Sequence, residues 1–295
     1  MSDGGSAALT NGTTPGVTRR AASLPRGRLH HLQSHRAPGQ EYFAYVPASG
    51  GDHAPVFVAV HGISRNVHEH ASLFAPLCEK VGAVLLAPFF PSDRCPDYQR
   101  LGRLGRGPRS DQALDTVVDE IGGLTGTRTD RLLMFGFSGG AQFVHRYTMA
   151  HPHRVARAVS AAAGWYTFPD RRLRYPYGMG RTRELPEVRF DPEEFLRVPI
   201  TVIVGEQDVS SLDLRSTDRV IRQQGVTRLD RARNWVAAMQ AAAEAHHLEP
   251  LVRLETIPGG DHTFMSLMLH GGLGERAFAA LFGPLPSRPR RSVHG

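Results

Sequence analysis

The stretch Arg131-Leu132-Leu133-Met134-Phe135-Gly136-Phe137-Ser138-Gly139-Gly140-Ala141-Gln142 decides how the chain folds. Its first half is a near-continuous apolar run, the pattern of a strand buried on both faces. Residues 139–150 then read as a helix, stopped at His151-Pro152 because a residue preceding proline is pushed out of the helical region. Between them stands Gly136-Phe137-Ser138-Gly139-Gly140, a G-x-S-x-G sequence at a strand-to-helix turn. A serine on so sharp a turn is crowded by backbone on both sides, so only small residues fit at the flanking positions. The helix that starts at Gly139 also aims its free N–H groups at any negative charge that develops beside Ser138.

Outward from this turn the same alternation repeats. Strands are expected over 41–46, 55–60, 82–87, 131–137, 155–161, 199–204 and 251–257. Helices are expected over 67–80, 139–150, 229–246 and 264–282, and from a cap at Ser110 or Asp111 through Ile121, where Leu114, Val117, Val118 and Ile121 recur at three-four spacing. Strand–helix alternation with short joins gives an α/β fold, with a mostly parallel central sheet and helices on both faces. In such sheets ligands bind at the carboxyl ends of the strands. Residues 39–283 form this domain. Residues 1–38 and 284–295, rich in Gly, Ser, Pro and Arg without apolar periodicity, read as disordered or loosely attached tails. Residues 164–197 break the alternation with Trp165, Tyr166, Phe168, Tyr175, Tyr177 and Phe190 among prolines and arginines. A loop this long is usually functional, and it reads as a cap or pocket wall.

If Ser138 is a nucleophile it needs a base, and His262 stands in the loop Pro258-Gly259-Gly260-Asp261-His262 after the last strand. The acid that orients the imidazole falls between them in the chain order Ser, Asp, His. Asp208, just past the strand over 199–204, is the choice; Glu206 and Asp213 are rivals, while Asp261 is too close to His262 in sequence. Two backbone donors would hold an oxyanion: the N–H of Gly139 and that of Ile63 in Val60-His61-Gly62-Ile63-Ser64. His61 reads as a hydrogen-bonding residue of the framework. Trp165 and Tyr166 are candidate substrate-binding residues, and Arg65, with the arginines over 171–183, could steer an acidic substrate.

The His-Gly segment at 61–62, the serine turn at 136–140, Asp208 and His262 together resemble the α/β-hydrolase superfamily over residues 40 to 283. Within it, the serine turn through Gln142 and the His-Gly-Ile-Ser loop are similar to polyhydroxybutyrate-depolymerase-like and dienelactone-hydrolase-like esterases. The chain departs from the latter in carrying Ser138 where they use cysteine, and no signal peptide like that of the secreted depolymerases is expected in it. The resemblance implies the α/β-hydrolase fold. It also implies an ester, thioester or amide substrate, of which a small carboxylic ester or thioester, cleaved through a Ser-His-Asp triad and a covalent acyl-enzyme, is the expectation. No ligand cluster or phosphate-binding glycine loop appears in the sequence, so no metal or organic cofactor is expected. A cofactor-free lyase, an acyltransferase or a non-catalytic binding protein on the same scaffold is the alternative.

Composition narrows the partners. Of 35 Lys and Arg residues only Lys80 is lysine, and the formal charge is +7. The arginines are scattered through the chain and do not form one stripe, which argues against nucleic acid. No run approaches the ~20 apolar residues of a membrane span. Two cysteines, Cys78 and Cys95, make neither a disulfide framework nor a metal site. Arg19-Arg20 is not followed by the apolar segment of an export signal, so a cytoplasmic location is expected.

Overall fold

The computed structural model describes Met1 and residues 24–49, 53–211 and 214–284. Its elements, in chain order, are β1 Leu29–Gln33, β2 Glu41–Tyr45, β3 Pro55–Val60, α1 Val67–Val81, β4 Val84–Phe89, α2 Ser110–Thr125, β5 Arg128–Phe137 and α3 Gly139–Ala150. There follow β6 Val155–Ala161, α4 Pro192–Leu196, β7 Ile200–Gly205, α5 Asp218–Gln224, α6 Arg228–Ala245, β8 Val252–Ile257, α7 Phe264–Leu269 and α8 Leu273–Phe282. The strands make one eight-stranded sheet in the order β1-β2-β4-β3-β5-β6-β7-β8. β1, β2 and β4 pair antiparallel; all other neighbours are parallel.

The apolar runs follow from this layering. Successive strand residues point to opposite faces, and helices cover both. Val56, Val58 and Val60 face one core with Met134, Leu114 of α2, Phe143 of α3 and Trp235 of α6. Phe57 and Ala59 face the other with Phe135, Phe74 of α1 and Phe278 of α8. A strand with water on one side would alternate; these strands have none on either, so every position is apolar.

Four expectations need correction. The proposed N-terminal tail ends well before residue 38: residues 29–33 form β1, which pairs with β2 from Leu29↔Tyr45 to Gln33↔Glu41. Residues 2–23 of that tail and 285–295 of the C-terminal one lie outside the described residues. The helix expected over 264–282 divides into α7 and α8, because the chain packs tightly at Gly271, where a Cβ would meet the Leu267 carbonyl at 2.9 Å, and turns at Gly272 with φ 64°. The strand expected from 82 begins at Val84, since Gly82 in the left-handed conformation (φ 68°) ends α1. Neither Ser110 nor Asp111 caps α2. Both lie within its first turn, the Ser110 hydroxyl donating to the Tyr98 carbonyl at 3.1 Å and the Asp111 carboxylate held by Arg109 and His151.

Residues 164–197 are irregular apart from α4, yet they are well packed. Tyr175 stacks on Phe190 with centroids 5.1 Å apart, and the Trp235 indole N–H of α6 donates to the Thr167 carbonyl at 2.7 Å. No helix among the described residues is long and apolar enough to cross a membrane.

Candidate active site

Ser138 stands where β5 turns into α3, at φ 53° and ψ −110°, a backbone conformation costly for a residue with a Cβ. The surroundings enforce it. The Ser138 N–H donates to the Ala161 carbonyl of β6 at 2.8 Å. At Gly136 a Cβ would lie 2.2 Å from the Gly140 carbonyl oxygen, and at Gly140 one would lie 2.0 Å from that of Val60. The two glycines therefore let α3 start directly against β3 and β5, which leaves the serine as the residue that projects.

His262 and Asp208 reach the same point from the far side of the sheet. The His262 Nε2 is 3.1 Å from the Ser138 Oγ, although the residues are 124 positions apart in the chain. Its Nδ1 is 2.8 Å from the Asp208 Oδ2. With the carboxylate able only to accept, Nδ1 carries the proton and Nε2 is free to accept one from the serine hydroxyl. The loops carrying acid and base are joined by main chain: the Gln207 N–H donates to the Gly260 carbonyl at 2.8 Å, and that of Glu206 to Ile257 at 3.0 Å. The rival Glu206 turns outward and accepts from the Thr256 hydroxyl at 3.1 Å. Asp261 accepts from the Thr263 N–H, and Asp213 lies outside the described residues.

The backbone donors expected for an oxyanion also adjoin. Gly139 lies so close to the loop after β3 that a Cβ there would be 2.7 Å from Ile63 Cγ2, 2.7 Å from the Tyr98 hydroxyl and 3.1 Å from the Ile63 nitrogen. His61 braces this loop. It is wholly buried, its Nδ1 is 2.8 Å from the Gly62 carbonyl, and its Nε2 accepts from the Phe90 N–H at 3.0 Å. Those partners fix a neutral imidazole, and burial pushes its pKa down to about 4.

The cleft above Ser138 has a volume of about 420 Å³ and is lined by Gly62, Ile63, Ser64, His70, Phe137, Arg228, His262, Phe264 and Met265, among others. Trp165 and Tyr166 are not among them. Tyr166 is fully buried, stacked on Trp235 at 4.7 Å, and so belongs to the core and not to a pocket wall. Trp165 is 5% exposed and is flanked by the Arg146 and Arg215 guanidinium groups at 4.3 and 5.4 Å. Arg65 is likewise engaged elsewhere. Its guanidinium donates to the Ile63 and Phe90 carbonyls and lies over the Tyr98 ring, so it stiffens the Ile63 loop.

Two cleft residues carried no motif. His70 of α1 is stacked on Phe264 at 3.8 Å, and burial pushes its pKa well below the ordinary range, so it is neutral. Arg228, the first residue of α6, donates from Nη1 to the Asp208 Oδ1 at 3.2 Å. The one sequence signal was the capping pair Thr227 and Asp230, which fixes where α6 begins and so places Arg228 at the carboxyl edge of the sheet.

No family model matches the chain, and no curated protein matches it in sequence. Solved structures do. The poly(aspartic acid) hydrolase-1 of Sphingomonas sp. KT-1 is similar with a TM-score of 0.71 at 24% identity, over 87% of this chain and 97% of that one. The poly(3-hydroxybutyrate) depolymerase of Bordetella parapertussis is similar with a TM-score of 0.71 at 24% identity, over 88% and 90%. An S-formylglutathione hydrolase of Agrobacterium tumefaciens is similar with a TM-score of 0.56 at 13% identity, over 86% and 94%. With the strand order, the serine turn at the end of β5 and the acid and base loops after β7 and β8, this likeness shows that the chain has the α/β-hydrolase fold.

Proposed function

We propose that the protein is a serine hydrolase that cleaves a carboxylic ester or thioester by acyl transfer to Ser138 and then to water. The observation that carries the reading is the continuous relay from Ser138 Oγ through His262 to the Asp208 carboxylate, at 3.1 and 2.8 Å. In this reading His262 takes the serine proton as Oγ attacks the carbonyl carbon, and Asp208 stabilises the imidazolium. The N–H groups of Ile63 and Gly139 hold the oxyanion. His262 then returns the proton to the leaving group, and a water activated by the same imidazole releases the acid. The cleft of about 420 Å³ suits a small acyl or alcohol group on the reacting side, with the rest of the substrate outside. Two of the similar structures are named for polymer substrates, a polyester and a poly(aspartic acid). An acyl polymer or oligomer is therefore a reasonable substrate to test beside simple esters. We read residues up to 283 as one domain that includes the segment 164–197.

The test is labelling by a fluorophosphonate probe together with hydrolysis of p-nitrophenyl acetate, butyrate and octanoate. Wild type should be labelled and turn over esters, and Ser138→Ala should lose labelling and at least about 10⁴-fold in rate while keeping its circular dichroism spectrum. Equal turnover by both proteins would remove Ser138 from the mechanism. Labelling without turnover of any ester would favour acyl transfer to another acceptor or a lyase.

A further inference from the structure

Asp208 is fully buried, and among the described residues His262 lies on its Oδ2 and Arg228 donates to its Oδ1. A buried carboxylate with one oxygen unpartnered is costly, and it escapes by rotating or taking up a proton. Either would undo the bond that orients His262. Arg228 is built to prevent this. Its side chain is 7% exposed. It sits at the first position of α6, a helix whose start is fixed by the reciprocal Thr227–Asp230 cap. One turn on, Arg231 anchors the same helix to the Gly164 carbonyl at 2.6 Å. Among the described residues, other charged or titratable groups near His262 are placed differently. Asp261, its neighbour, is exposed and bound to the Thr263 N–H, while Glu69 and His70 of α1 lie across the cleft.

We infer that Arg228 is a positioning residue: its guanidinium supplies the second hydrogen bond and the counter-charge that hold the buried Asp208 carboxylate in the orientation His262 uses. The inference rests on the acyl-transfer reading for its consequence in rate, and on geometry alone for its consequence in structure. Because the contact is a single hydrogen bond and not a bidentate fork, a lysine ammonium can replace it in part, whereas a neutral side chain supplies no counter-charge.

The experiment compares wild type, Arg228→Gln and Arg228→Lys. The downfield proton resonance of the His262 Nδ1–H, assigned by its loss in His262→Ala, reads the Asp208 bond whether or not the protein turns anything over. It should be sharp in wild type and Arg228→Lys, and broadened or lost in Arg228→Gln. The rate of fluorophosphonate labelling of Ser138 between pH 5 and 9 should fall by about 10- to 100-fold in Arg228→Gln, the size of one charge-assisted hydrogen bond, with the deficit widest on the acid side. Arg228→Lys should recover most of it and keep the wild-type profile. A resonance that persists unchanged in folded Arg228→Gln overturns the positioning role, as does a uniform loss of rate at every pH in both variants. A wild type that shows the resonance but takes no label would instead overturn the acyl-transfer reading.

Discussion

Replacing Gly139 by alanine tests whether Ile63 and Gly139 hold an oxyanion. The added Cβ would lie 2.7 Å from both Ile63 Cγ2 and the Tyr98 hydroxyl, some 0.7 Å inside the 3.4 Å at which ordinary contact begins. Neither neighbour yields freely. The Tyr98 hydroxyl donates to the His61 carbonyl at 2.9 Å, and His61 is buried between Gly62 and Phe90. The strain is relieved most easily by moving the loop of Ile63, a residue 49% exposed, away from the serine turn. A donor must sit about 2.7–3.1 Å from the oxyanion, so a displacement of this size removes the Ile63 N–H from service, which typically costs 10²–10³ in kcat. The cost in stability is that of local overpacking, about 1–3 kcal/mol. The assay is kcat and KM on a p-nitrophenyl ester, with thermal unfolding alongside. Gly123→Ala serves as the control, since Gly123 is exposed on α2 with nothing within 4 Å of a Cβ, and this change should raise stability by about 0.5–1 kcal/mol without touching the rate. A Gly139→Ala protein with wild-type kcat would refute the assignment of these two amides.

Acid should destabilise the fold from near pH 6.5 downward, through its buried histidines. The His61 imidazole of the unfolded chain takes its proton near pH 6.5, whereas in the folded protein burial delays it to about pH 4. Stability is therefore complete above about pH 6.5 and falls progressively toward pH 4, by about 3 kcal/mol from this residue; buried His70 and His145 act in the same direction. Urea midpoints at pH 7.5 and 5.0 should differ accordingly, and equal midpoints would mean that these rings are charged or accessible. Tyr175→Phe should leave activity unchanged and raise stability by about 1 kcal/mol, because the Tyr175 hydroxyl is buried without a hydrogen-bond partner among the described residues; a lower melting temperature would point to an internal water bound there.

The parallel centre of the sheet was legible because strands with both faces covered write long apolar runs, and the serine turn because steric crowding admits little but glycine around it. The order Ser138, Asp208, His262 named three residues that the fold brings within hydrogen-bonding distance. What stayed hidden has physical reasons. β1 is an edge strand of sequence Leu-His-His-Leu-Gln, mostly half-exposed, and such a strand needs no apolar alternation. Arg228 was hard to single out because the chain has many arginines: the Thr227–Asp230 cap marks where α6 begins, and the packing of α6 onto the loop of Asp208 distinguishes this one. Trp165 and Tyr166 misled for the opposite reason: aromatic residues at the end of a strand serve a core as readily as a pocket, and composition cannot say which way a ring points.

The 124 residues between Ser138 and His262 have a consequence for how the protein comes into being. Ser138 arrives on β5 in mid-sheet, while His262 arrives only after β8, the last strand, has docked beside β7. A nascent chain released as far as α3 holds Ser138 without His262 or Asp208, and pairing over such separations is among the slowest steps in folding. On the acyl-transfer reading, hydrolysis during refolding would therefore rise with closure of the far edge of the sheet and trail the recovery of helix, making turnover a clock for the final assembly step.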